Sequence, residues 1–182
     1  TFNYLTAALI ALFIGDVNYN ITNLANTDWF HSTIALGAFF ILMFNIMAIT
    51  TQRLGISISS MASKMSLIIP VIGAIIFQNA SIGIYKIAGI IIAIVAVYLT
   101  FKKSGSTTKP TLAIILFFGA GILDMWLDLI RNNYLSSDID FNLFIVTVFF
   151  TAFSLGLIKI IWEWKKILKK NIVAGIVLGI PN

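Results

Sequence analysis

Apolar positions run almost unbroken for about 20 residues at five places in this chain, long enough for a helix to cross a hydrocarbon core of about 30 Å. These runs cover 30–50, 56–78, 82–101, 111–130 and 141–162. Two further runs, Phe2–Gly15 and Asn171–Asn182, are shorter than the roughly 17 residues that a spanning helix requires. The pattern predicts an all-α, polytopic membrane helix bundle. The first residue is Thr1 and the last run stops within GIVLGIPN, so the expectation is an internal fragment of a longer protein whose end runs are cut.

Composition supports this solvent. Apolar residues make up 59% of the 182 and charged residues 10%, with a mean hydropathy of +1.00, where a soluble domain carries roughly a quarter charged residues. The first run has no basic flank and no small-residue cleavage site before Asp16, so it does not read as a signal peptide. With no cysteine and a single histidine, His31, the chain has no disulfide, no thiolate metal site and no His-based zinc site, and no cofactor is implied. The formal charge of +5 sits in short loops between apolar runs. That distribution reports topology and points to the lipid bilayer as partner, not to nucleic acid.

The loops alternate. Segment 16–29 holds Asp16 and Asp28 and no Lys or Arg, whereas 51–55 holds Arg53; the 79–81 turn is uncharged, whereas 102–110 holds Lys102, Lys103 and Lys109. Segment 131–140 mixes Arg131 with Asp138 and Asp140, and 163–170 carries Lys165, Lys166, Lys169 and Lys170. Positive-inside logic places 51–55, 102–110 and 163–170 in the cytoplasm. The run at 2–15 then leaves the cytoplasm, 30–50 returns and 56–78 leaves again. The expected location is a bacterial plasma (inner) membrane, crossed several times.

The two halves echo each other weakly. FNYL at 2–5 opens the first run and FNLF at 141–144 opens the sixth, while LGAFFILMFN (36–45) and VAGIVLGIPN (173–182) match in polarity and both end in Asn. The offsets amount to about five helices, and an odd number inverts the second copy, as the loop charges also require.

SSMASKMSLIIPVIGAIIFQNASIGIYKIAGIIIAIVAVYLT (59–100) resembles the fourth and fifth helices of the EamA-like drug/metabolite transporter family. It has a small-residue stretch, a proline within the helix, a polar residue at the helix end, a short turn, then a helix with Gly near its start. The resemblance implies part of a ten-helix fold made of two inverted five-helix repeats. Residues 1–101 would be the first repeat lacking its first helix, 102–110 a cytoplasmic linker, and 111–182 a truncated second repeat. It also implies a secondary transporter that moves a small metabolite or amino-acid-like solute by alternating access. Where the family often has Glu at the end of the fourth helix, this chain has Gln78.

The polar residues inside the runs are the candidate substrate-binding set. Lys64 lies about 12 Å along the run from Ile56, where a charge costs at least ~2.5 kcal/mol unless it meets water or a partner. Ser57, Ser60 and Lys64 share one helical face, with Ser63 and Ser66 beside it, and Pro70 is expected to free the carbonyl of Ser66. Such a face either lines a water-filled path or lets the lysine snorkel to the surface. Asp124 is the expected partner of Lys64, and Asp128 that of Arg131. Asn45 and Asn182, related by the echo, approach the middle from opposite sides. Met61 and Met65, like the small-residue pairs Gly175/Gly179 and Gly89/Ala93, read as packing positions, and Trp29 as part of an interfacial belt. Competing readings are an intramembrane enzyme and a non-transporting membrane scaffold. An aspartyl hydrolase would need two facing acids, and Asp124 and Asp128 lie one turn apart on one helix.

Overall fold

The computed structural model describes residues 1–14, 24, 27–78, 83–103, 111–135, 138–162 and 169–180. Among these it forms helices and no strand: α1 (Phe2–Ile14), α2 (Phe30–Leu54), α3 (Ile56–Met65), α4 (Ile68–Phe77), α5 (Ile84–Lys103), α6 (Thr111–Tyr134), α7 (Asp138–Trp162) and α8 (Lys169–Gly179). Among the described residues four stretches are long and apolar enough to cross a membrane: Phe30–Leu54, Ile56–Phe77, Thr111–Tyr134 and Phe141–Trp162. The expected run at 82–101 appears as α5, whose described apolar stretch is Ile84–Ala96.

Helix–helix contacts divide the chain into two compact units, 1–41 with 130–182, and 42–129. In the first, α1 packs on α7 and α8. The Tyr4 hydroxyl donates to the Phe40 carbonyl of α2 at 3.2 Å, and the Tyr4 ring stacks on Phe149 of α7. Trp29 is buried edge-on against Phe144, so it belongs to this core. Along α2 and α7 the contacts Trp29 with Phe144, Gly37 with Thr151 and Ile41 with Gly156 ascend together, so these helices run parallel. The contacts of α1 with α7, Thr1 with Gly156 and Tyr4 with Phe149, descend, so that pair is antiparallel. Helix α8 runs parallel to α1, with Gly175 on Phe2 and Gly179 on Asn3 and Thr6. This is the small-residue packing expected of Gly175/Gly179, because without side chains the two backbones approach closely.

In the second unit, α2 turns into α3 through one residue. Gly55 takes φ +92°, a conformation that costs an L side chain about 1–3 kcal/mol and glycine little. Helices α3 and α4 form a single interrupted helix. Pro70 has no N–H to offer the Ser66 carbonyl, yet that carbonyl is not free, because Ile69 N–H reaches it at 2.9 Å in a tighter 3₁₀-type turn. The expectation of an exposed carbonyl at Ser66 is therefore corrected. Helix α4 packs parallel to α6 through Ile69 on Gly121, Gly73 on Met125 and Gln78 on Asp128. Helix α5 touches α3 and α4, but nothing lies within 4 Å of a side chain built at Gly89, so the described residues do not use that glycine for packing.

Candidate functional site

Helix α3 carries two polar faces with different fates. Ser59, Ala62 and Ser66, at i, i+3 and i+7, are fully or almost fully buried. Ser59 Oγ reaches the Met47 carbonyl of α2 at 3.4 Å, and Ser66 Oγ donates to the Ser63 carbonyl at 2.5 Å. At Ser59 this face meets the α2 backbone, where a small side chain is needed.

The other face opens on a broad, open cavity of about 450 Å³ whose described lining is all on α3: Ile56, Ser57, Ser60, Met61, Lys64 and Met65. The spacing 57, 60, 64 puts both hydroxyls and the ammonium on one side of the helix, and the structure keeps that side uncovered: Ser57 and Lys64 are exposed and Ser60 is half-buried. Met61 and Met65 line the cavity and are not packing positions alone. The hydroxyls are available. Thr50, Thr51, Thr147, Thr151 and Ser154 each donate to the carbonyl four residues earlier, whereas among the described residues the Ser57 and Ser60 hydroxyls make no hydrogen bond.

The remaining candidates are spread over the unit. Ser63 is half-buried beside the cavity and Asn45 is exposed on α2; neither lines the cavity. Asp124 is half-buried on α6, and among the described residues no ion pair joins it to Lys64, which corrects the expected partnership. Asn182 lies outside the described residues. Asp128 accepts a hydrogen bond from Gln78 Nε2 at 2.7 Å, while the Arg131 guanidinium stacks over the Phe141 ring at 4.7 Å. Both contacts escape sequence reasoning, since the first joins residues 50 apart and depends on the parallel register of α4 and α6.

No family model and no solved structure matches the chain. It is similar to an uncharacterised protein of Haemophilus influenzae, 25% identical over 196 residues. That alignment takes in all of this chain and 64% of the relative, so the chain spans less than two thirds of the relative's length.

Proposed function

We propose that the chain belongs to a secondary carrier of a bacterial inner membrane, moving a small metabolite or amino-acid-like solute by alternating access, on the plan of the EamA-like transporters. The observation that carries this reading is the α3 cavity: two unengaged hydroxyls and an ammonium, on the first half of an interrupted helix of membrane-spanning length. Interrupted helices that present polar groups at depth are how carriers hold a solute within a bilayer.

Helix directions support it. The parallel pairs α1·α8, α2·α7 and α4·α6 and the antiparallel pair α1·α7 all agree with the alternation of basic loops. Exchanging α1 with α7 and α2 with α8, as an inverted repeat would, maps the α1·α8 contact onto α2·α7, and both are parallel. The axial register is not reproduced. The echo in the letters would pair Ala38 with Phe141, whereas Gly37 lies at Thr151, so the echo supports direction only.

The exposure of Lys64 favours one other reading, a non-transporting scaffold whose lysine snorkels to the headgroups. One experiment separates the two. Lys64→Met removes a costly charge from a membrane helix, so abundance should stay near that of the parent protein. The initial rate of uptake or export, measured across labelled amino acids and organic acids, should fall at least tenfold. An unchanged rate at matched protein level removes Lys64 from the site and leaves the scaffold reading.

A further inference from the structure

We infer that the α3 cavity is an anion site: it takes the carboxylate or phosphate group of a solute whose remaining body is apolar. This rests on the carrier reading and names the chemistry of its solute. Among the described residues the lining holds one ammonium, two hydroxyl donors and no carboxylate. Lys64 makes no ion pair among the described residues, so its charge, about 12 Å along the helix from Ile56, has no described protein counter-ion. An anion supplies one, and the Nζ and hydroxyl groups together give it charge-assisted hydrogen bonds. A cation meets like charge. Ile56, Met61 and Met65 form the rest of the wall, and methionine adapts its shape to whatever apolar body lies on it. The groove is open, about 450 Å³ in volume, and its described wall is α3 alone.

The same chemistry is offered by a free solute and by a phospholipid headgroup, and the test distinguishes them. The chain has no cysteine, so Met61→Cys places a single thiol in the cavity wall. The protein is placed in nanodiscs of phosphatidylcholine alone. The thiol is then modified by 2-sulfonatoethyl methanethiosulfonate, which is anionic, and by the 2-(trimethylammonium)ethyl analogue, which is cationic. Both reagents attack the same thiolate, so any change in thiol ionisation cancels in the ratio of their rates.

Adding Lys64→Met should lower the anionic-to-cationic ratio about sevenfold, the value for unit charges roughly 7 Å apart in a water-like dielectric. Lys64→Arg should retain it. Hexanoate or phenyl phosphate should slow labelling and hexylamine should not. If instead phosphatidylglycerol in the nanodisc protects the thiol and hexanoate does not, the anion is a lipid headgroup. A ratio that moves less than twofold on Lys64→Met, or protection by hexylamine equal to that by hexanoate, overturns the inference. The two readings fail separately. A ratio shift with no transport of any solute leaves the anion site and removes the carrier, while transport without a ratio shift does the reverse.

Discussion

Gly37 brings α2 close against the backbone of α7, and replacing it by alanine tests that packing. A Cβ there would lie 2.9 Å from Thr151 Cβ and Cγ2 and 3.0 Å from the backbone nitrogen of Ala152, where carbon atoms prefer roughly 3.5–4.0 Å. None of these atoms yields easily. Thr151 is β-branched and its Oγ1 is tied to the Thr147 carbonyl at 2.8 Å, while Leu36 and Ala152 beside it are fully buried. The helices must separate, at an overpacking cost of about 1–3 kcal/mol. The helix-propensity gain from Gly to Ala offsets at most about 1 kcal/mol of this. Gly37→Ala should therefore destabilise by up to about 2 kcal/mol net. Gly89→Ala, with nothing within 4 Å, should be neutral or stabilising by up to about 1 kcal/mol. Gly73→Ala should fall between them, because its neighbour is the flexible end of Met125. Unfolding of the three variants by SDS in mixed micelles ranks them. The close-packing account fails if Gly37→Ala is no less stable than Gly89→Ala.

Other outcomes follow from the same contacts. Gln78→Leu removes the described donor to Asp128 and should cost about 1–3 kcal/mol in that unfolding assay, as loss of a hydrogen bond to a charged group does. Asp128→Asn should cost less, since two amides can still pair. Because no ion pair joins Lys64 to Asp124, Lys64→Met and Asp124→Asn should be additive within about 0.5 kcal/mol; a larger coupling in the double mutant would show a partnership absent from the structure. Single cysteines at Gly83 and Asn133 should react with an impermeant maleimide outside intact cells, and those at Gln52 and Lys170 only after permeabilisation. The reverse pattern, or uniform labelling, would overturn the orientation drawn from the basic loops.

The helices were legible because a spanning run must be apolar over its whole length, whereas their ends and the interruption between α3 and α4 were missed. The runs at 30–50 and 111–130 continue to Leu54 and Tyr134 through polar turns, Thr51–Leu54 and Arg131–Tyr134, that keep helical hydrogen bonding where apolarity is no longer required. The face Ser57, Ser60 and Lys64 was legible for a similar reason, since spacing on one helix is a local property. Partners between helices were not. Whether Lys64 meets Asp124, or Asp128 meets Gln78, depends on which helices are neighbours and at what height, and depth counted along a single helix fixes neither. Pro70 was half legible: the missing N–H was certain, but Ile69 reaching the orphaned carbonyl is a response of the local backbone.

The single-residue turn at Gly55 bears on how the chain enters a bilayer during synthesis. With nothing but one glycine between Leu54 and Ile56, the two helices cannot leave the translocation machinery one after the other with a hydrated loop between them. If both cross the bilayer, they would partition as a hairpin. The segment Phe30–Ile49 has no Lys, Arg, Asp or Glu, whereas Ser57–Ser66 brings five serines and a lysine, the lysine alone costing roughly 2.5–3.5 kcal/mol on insertion. On insertion as a hairpin, the serine-rich half-helix would be carried in by its neighbour. Lengthening the turn would uncouple the two insertions and leave the segment that bears the cavity to partition on its own.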